Sequence, residues 1–190
     1  MMLETLLFVL HGAYGLHLKM TSTPVSPSIS RQILIVGGGI GGISTAFDAR
    51  HILRPTDEVT VVSDRSSFQF TPSNPWVAVR MRTPNEISLP LNEVLPRHNI
   101  RFVHGKATHL DPLAQSLQLE DGQTLAYDYL VIATGPRLAF DEIPGSGPLG
   151  YSSSVCTTPH ATETADAIDE LCSNPGPIVV GATQVGLFDN

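Results

Sequence analysis

The sequence predicts an α/β fold built on a parallel β-sheet. A short apolar run, Ile33–Val36, is stopped by three glycines, and apolar residues then recur at helical spacing over residues 40–52. A second run, Val59–Val62, consists entirely of β-branched residues. Strands without polar alternation are typical of a sheet that is covered on both faces. Because a helix joins the two runs, we expect them to be parallel neighbours in that sheet.

The remainder of the chain predicts shorter elements. Residues 65–99 contain several prolines, so we expect an excursion over the sheet with no long helix or strand in it. Turn residues separate the segments that follow, which predicts a small antiparallel β-meander. In chain order the expected elements are a helical turn at Leu91–Leu95, strands at Ile100–Val103, Ala107–Leu110, Ser116–Leu119, Thr124–Ala126 and Asp128–Ala133, a helix from Thr158 or Pro159 to Leu171, and a strand at Pro177–Val180.

The 190 residues divide into three parts by composition and hydrophobic pattern. Residues 1–30 are an interrupted apolar stretch followed by Ser, Thr and Pro, and we interpret them as a disordered appendage or a misread start, with Met20 as an alternative initiator. A secretory signal is disfavoured, because Glu4 is the only charged side chain before the apolar run. Residues 31–140 predict the first domain, and residues 141–190 predict the truncated start of a second.

Composition excludes several classes of function. Eighteen acidic against eleven basic residues give a net charge of −7, without a cluster of Lys or Arg, so we expect no nucleic-acid partner. Two cysteines cannot form a disulfide framework, and the seven histidines lack metal-ligand spacing, so no metal site is expected. No apolar run reaches the roughly 18 residues of a membrane-spanning helix.

The glycines Gly37, Gly39 and Gly42 form a G-x-G-x-x-G motif between the first strand and the first helix. The first glycine permits a tight turn, the second lets a pyrophosphate approach the backbone, and the third lets the helix lie close to the strand. Free amides at the helix start then bind the diphosphate. The motif predicts a Rossmann-like dinucleotide site, against the alternative of a glycine-rich turn without a ligand.

An acidic residue about twenty positions beyond such a motif binds the ribose hydroxyls. Asp64 lies 22 residues after Gly42, and Ser63 occupies the last strand position, so we expect the two to share this role. The alternative is that Asp64 only opens a turn. These residues do not distinguish NAD from FAD, and the segment Tyr127–Pro136, which ends in Ala-Thr-Gly, is a second place where backbone can lie next to a cofactor.

Taken together, GGGIGG and YDYLVIATGP resemble the flavin-binding half of the flavoprotein oxidoreductases that have two dinucleotide folds. Within that group, the segment Phe68–Trp76 (FQFTPSNPW) resembles the sulfide:quinone oxidoreductases, and so does Val155–Ala161 (VCTTPHA). The resemblance covers about residues 31–184. It implies a Rossmann-like FAD-binding domain followed by the start of a second dinucleotide-type fold.

The resemblance also implies FAD as cofactor, sulfide and a quinone as substrates, and peripheral membrane attachment through helices beyond residue 190; without these the chain would be cytoplasmic. The cofactor residues it implies are Gly37, Gly38, Gly39, Ile40, Gly41 and Gly42 at the diphosphate, Ser63 and Asp64 at the adenosine ribose, Thr71 and Pro72 close to the isoalloxazine, the backbone of Ala107 at the adenine, and Thr134 and Gly135 along the cofactor.

Cys156 and His160 are the candidate catalytic residues. By resemblance Cys156 is a cysteine auxiliary to the redox pair, and His160 is a histidine that handles protons or holds the site. Because the two residues are four positions apart, they could lie on one helical face, where a histidinium would favour the thiolate form of Cys156. Pro159 could instead place Cys156 before the start of the helix. The alternatives are a small buried hydrophobic side chain for Cys156 and an exposed first-turn residue for His160.

The resemblance ends inside a motif. Phe188 stands where the family has the first cysteine of its flavin-facing pair, so the redox pair is absent from this chain. We therefore expect a truncated fragment that retains FAD weakly and does not turn over sulfide by itself. Two alternatives remain open, a non-catalytic nucleotide-binding fragment and a related flavoprotein sulfide dehydrogenase that passes electrons to a cytochrome.

Overall fold

The computed structural model describes residues 8–9, 30–148 and 150–181, and of residues 8–9 the backbone only. The strands are β1 (Phe8–Val9), β2 (Gln32–Val36), β3 (Glu58–Ser63), β4 (Ser67–Gln69), β5 (Ser88–Pro90), β6 (Arg101–His104), β7 (Ala107–Asp111), β8 (Ser116–Leu119), β9 (Thr124–Ala126) and β10 (Tyr129–Ile132). The α-helices are α1 (Ile40–Ile52), α2 (Asn74–Ala78), α3 (Leu91–Val94) and α4 (Thr158–Ser173).

The central sheet is parallel, with strand order β1-β10-β2-β3-β6. In the register of its middle strands, Ile33 lies between Tyr129 and Val59. Strands β7, β8 and β9 form a separate antiparallel sheet, which is the expected meander. The structure thus confirms the predicted α/β fold class with its parallel sheet and meander.

Both faces of the sheet are covered, which explains why its strands lack polar alternation. Ile33 and Ile35 point to one face and join a core cluster with Ala46 of α1. Leu34 and Val36 point to the other face, where the apolar side chains of the meander complete a second cluster. Successive residues of β2 therefore serve two different cores, since side chains alternate across a strand.

Contacts divide the chain into two compact units, Met1–Thr71 with Asn85–Ala139, and Pro72–Pro84 with Phe140–Asn190. Residues 72–84 pack with the second unit, although they lie inside the stretch 31–140 that the sequence predicts to be one domain. Within this second unit α2 packs against α4. The Thr158 hydroxyl donates a hydrogen bond of 3.0 Å to Oδ1 of Asn74, a fully buried side chain.

Several short elements differ from the sequence prediction. The expected strand at Pro177–Val180 is wrong, because these residues are irregular and Val179 is 94% exposed. A strand needs a partner for its backbone groups, and none of the described residues pairs with this segment. The proline-rich stretch contains the antiparallel strand pair β4–β5 and the helix α2, which sequence reasoning missed. The turn expected at Leu91–Leu95 is confirmed as α3.

The appendage predicted at residues 1–30 lies mostly outside the described residues. The described pair Phe8–Val9 forms a short strand that pairs in parallel with β10, a pairing that the sequence did not indicate. No helix in the described ranges combines the length and the hydropathy needed to cross a membrane.

The connection between α1 and β3 is held by a buried carboxylate. Asp57 is 3% exposed and accepts hydrogen bonds from the Arg54 guanidinium and from the backbone amides of Arg31 and Arg54. The Arg54 hydrogen bonds, together with the two amides, lower the pKa of Asp57 to about 2, against the opposing effect of burial. The contact ties the end of the first helical crossover to the residue before β2.

This pKa shift predicts a specific acid sensitivity. The stabilisation is present above the pKa of the carboxyl in the unfolded chain, about 3.9, and is lost as the pH falls through the folded value near 2. In Asp57→Asn we expect about 1–2 kcal/mol of this pH-dependent stability to disappear. The measurement is the free energy of unfolding in urea at neutral and acid pH.

Asp121→Asn is the matched control, because that carboxylate accepts one amide hydrogen bond from Gln123 in an exposed turn. Its stability should follow the wild-type pH dependence. An Asp57→Asn variant that loses stability in acid as steeply as the wild type would contradict this role for Asp57.

Candidate nucleotide-binding site

The glycine turn is closed by its own backbone at two of its three motif positions. Gly37 has a φ of 122°, and its amide donates to the Val62 carbonyl at 2.8 Å. A Cβ at Gly37 would lie 2.1 Å from the Ala133 carbonyl oxygen, and one at Gly42 would lie 1.9 Å from the Gly37 carbonyl oxygen. Both positions therefore require glycine for the fold, whatever the loop binds.

Gly39 is different, because a Cβ there would meet no atom of the described residues within 4 Å. Its backbone is extended, with φ −86° and ψ −172°, which any residue can adopt. The free space in front of Gly39 is the space that a diphosphate needs. The open space at Gly39 is therefore compatible with the dinucleotide that the motif predicts.

The start of α1 presents donors to that space. Gly39 is the N-cap residue, no side chain caps the helix, and the first turn contains no acidic residue. Within the described part of the chain, the amides of Gly39, Ile40 and Gly41 have no backbone acceptor. The first hydrogen bond of the helix is donated by the Ile43 amide to the Gly39 carbonyl, at 2.9 Å. Unpaired amides and the positive end of the helix dipole suit an anion at this point.

Gly38 has a packing requirement that sequence reasoning missed. A Cβ at this position would lie 2.8 Å from both the Ser63 hydroxyl oxygen and a methyl carbon of Leu91. The turn therefore rests on the end of β3 and on α3. A signal for this contact is absent from the motif, because Gly38 is one of its variable positions.

The two residues expected at the ribose lie in different surroundings. Ser63 is 6% exposed, and its hydroxyl oxygen already accepts the Arg65 amide at 3.1 Å. Asp64 is exposed at the carboxyl edge of the sheet, and its carboxylate bonds to none of the described residues. Only Asp64 therefore has all its acceptor oxygens available for ribose hydroxyls.

The segment after β10 lies beside the glycine turn. Ala133 donates its amide to the Val36 carbonyl at 2.8 Å, which places Thr134 and Gly135 directly after the turn-facing residue. Both are exposed, and Gly135 has a φ of 75° with no atom near its missing Cβ. Ala107 begins β7, pairs with Leu119 and packs partly against the second core cluster.

Thr71 and Pro72, expected near the isoalloxazine, belong to the 3₁₀ turn Thr71–Ser73 and are exposed. Their proposed role at the flavin remains a prediction from the resemblance.

Cys156 and His160 do not share a helical face. The N-cap of α4 is Thr157, whose hydroxyl oxygen accepts the His160 amide at 3.3 Å, so Cys156 lies before the helix. Pro159 is in the first turn, where it favours a helix start at this place. Cys156 is exposed, so it is not a small buried hydrophobic side chain. No hydrogen bond joins its thiol to His160 within the described ranges.

His160 is half-buried rather than an exposed first-turn residue. Its ring meets Phe140 edge to face at 5.6 Å between centroids, and its buried Nδ1 has no partner among the described residues. It also lines a cavity of about 300 Å³ together with Ser152, Ser154 and Glu163. The side chain is thus oriented by packing and keeps one free nitrogen.

Comparisons with known proteins agree with this geometry. The family model described as pyridine nucleotide-disulphide oxidoreductase matches residues 31–187. The chain belongs to this family. The sulfide-quinone reductase of Aquifex aeolicus is 43% identical over 154 residues, which are 81% of this chain and 35% of that protein. The pyridine nucleotide-disulphide oxidoreductase family and its sulfide:quinone members are FAD-binding.

Two solved structures have the same fold. The crystal structure of the Aquifex aeolicus sulfide:quinone oxidoreductase matches with a TM-score of 0.72 and 42% identity, over 78% of this chain and 34% of that one. The NDH2 structure from Plasmodium falciparum matches with a TM-score of 0.61 over 77% of this chain and 31% of that one, and at 22% identity it supports the fold alone. The chain therefore spans about a third of the length of these relatives.

Substitutions at two of these glycines test ligand binding and folding stability separately. Gly39→Ala places a methyl group in the open space, so we expect FAD affinity to fall at least roughly tenfold. Because Ala is a poorer N-cap residue than Gly, the unfolding free energy should also fall, by no more than about 1 kcal/mol. Gly42→Ala forces the helix off the turn and should cost roughly 2–4 kcal/mol of stability. Calorimetric titration with FAD and urea unfolding measure the two effects.

Gly176→Ala is the matched control, because its missing Cβ also meets nothing within 4 Å but lies outside the turn. It should change neither quantity. If Gly39→Ala bound FAD as tightly as this control, the diphosphate would not lie in front of Gly39.

Proposed function

We propose that this chain is the amino-terminal, FAD-binding part of a sulfide:quinone oxidoreductase. In this function the glycine turn and the start of α1 bind the diphosphate of FAD, and Asp64 accepts hydrogen bonds from the adenosine ribose. Bound flavin supplies the redox chemistry, since it takes electrons from a thiol or sulfide and passes them to a quinone. The proposal includes peripheral contact with a membrane, where such a quinone dissolves.

The observation that carries the proposal is the open space at Gly39. In the same turn an added Cβ would lie under 3 Å from another atom at Gly37, Gly38 and Gly42, whereas at Gly39 it would meet nothing within 4 Å, next to amides without backbone acceptors. A turn that served only the fold would have no need of this arrangement. The carboxylate of Asp64 stands at the same edge of the sheet, and a carboxylate there favours an unphosphorylated ribose.

The choice of substrates rests on similarity rather than on geometry. The strongest support is the 43% identity to a sulfide-quinone reductase across 81% of this chain. The sulfide:quinone-like segment Phe68–Trp76 lies inside that match. The second candidate function is that of a flavoprotein sulfide dehydrogenase, which passes electrons to a cytochrome. It would use the same FAD site.

The cofactor part of the proposal predicts which half of FAD the chain recognises. FAD and ADP should bind the 190-residue chain with affinities within about tenfold of each other, because the diphosphate and ribose contacts are common to both. FMN lacks the adenosine and should bind much more weakly. Titration calorimetry with the three ligands measures this, and equal binding of FMN and ADP would contradict the assignment.

The substrate part can be tested with a chimera. Residues 31–181 replace the matching part of the Aquifex aeolicus relative, which supplies the regions beyond this chain. We expect sulfide-dependent reduction of a soluble quinone, followed spectroscopically, and no oxidation of NADH. Sulfide-dependent reduction of cytochrome c without quinone reduction would favour the second candidate. NADH oxidation without sulfide oxidation would contradict both.

A further inference from the structure

The turn that carries Asp64 is held from the neighbouring strand. Strand β6 ends beside β3, with His104 in register with Ser63. The Gly105 amide donates to the Ser63 carbonyl at 2.9 Å, and Nε2 of His104 lies 3.1 Å from the Asp64 carbonyl oxygen. One residue of β6 thus contacts the backbone of the residue that we assign to the ribose.

The acceptor in this contact determines which nitrogen of the His104 ring carries a hydrogen. A carbonyl oxygen only accepts hydrogen bonds, so Nε2 of His104 must carry the hydrogen. The ring is oriented by Phe102, two residues earlier on the same face of β6, at 6.4 Å between centroids and 28° between planes. Phe102 itself packs against the first core cluster. The exposed ring of His104 therefore contacts Phe102 and, through Nε2, the Asp64 carbonyl.

Asp64 needs such support, because its own side chain bonds to nothing in the described part of the chain. The preceding residue is held twice, through the Ser63 carbonyl and through its hydroxyl, which accepts the Arg65 amide. The carbonyl of Asp64 has His104 as its contact. Without that hydrogen bond the ribose-facing carboxylate would sit on a freer turn, and ordering it would reduce the affinity for a ligand.

We propose that His104 is a positioning residue for the nucleotide: its Nε2–H holds the Asp64 carbonyl and so pre-orders the carboxylate that binds the adenosine ribose. The inference rests on the proposed function, since it concerns the same site. A neutral hydrogen bond contributes about 0.5–1.5 kcal/mol, which corresponds to roughly a 2- to 10-fold change in affinity.

The test compares variants of the full chain in their binding of ADP. His104→Phe keeps an aromatic ring against Phe102 but removes the donor, and ADP should bind roughly 2- to 10-fold more weakly. His104→Gln is the matched control, because its amide nitrogen replaces Nε2, and it should bind within about twofold of the wild type. Urea unfolding checks that both variants fold.

A double-mutant cycle separates positioning from a general structural effect. If His104 acts through Asp64, then His104→Phe should have no further effect in an Asp64→Ala background. Additive losses, or an equal loss in His104→Gln, would overturn the inference while ADP binding by the wild type still stands. A wild-type chain that binds neither ADP nor FAD would overturn the proposed function and this inference with it. The ¹⁵N shifts of His104 should also show the Nε2–H tautomer, and the Nδ1–H tautomer would contradict the contact.

Discussion

The architecture depends on a close approach of three backbone segments at the end of β2. Gly37 lies against the Ala133 carbonyl, and Gly42 lies against the Gly37 carbonyl, at distances that leave no room for a side chain. Because the turn is this tight, α1 begins directly over the carboxyl edge of the sheet. Its first amides consequently face outward, and the residues that follow β3 and β10 meet at the same edge.

This constraint also explains how an acidic protein offers an anion site. The chain has a net charge of −7, so its overall field does not attract a diphosphate. The attraction must be local, and the start of α1 provides it through oriented amides without an acidic residue in the first turn. In the proposed site the one carboxylate near the nucleotide is Asp64, and we assign it to the ribose because hydroxyls can donate hydrogen bonds to a carboxylate and phosphate oxygens cannot.

The second unit shows that a short insertion can belong to a distant part of the chain. The segment Pro72–Pro84 is bound to α4 by the buried hydrogen bond between Thr158 and Asn74. Arg80 adds ion pairs of 2.6 Å to Asp166 and to Asp169, from a backbone with a φ of 57°. Both carboxylates lie on α4, so they hold the Arg80 side chain from the same helix.

Features that depend on neighbouring residues could be predicted from the sequence. Glycine spacing after an apolar run predicts the strand, turn and helix of the nucleotide site, and the alternation with turn residues predicts the meander, because both patterns are local consequences of backbone geometry. Contacts between residues far apart in the chain became visible only in the folded structure. Gly38 packs on Ser63, His104 bonds to Asp64, and residues 72–84 join α4. Pro177–Val180 has strand composition but finds no partner in the described residues, since a strand forms only where another backbone pairs with it.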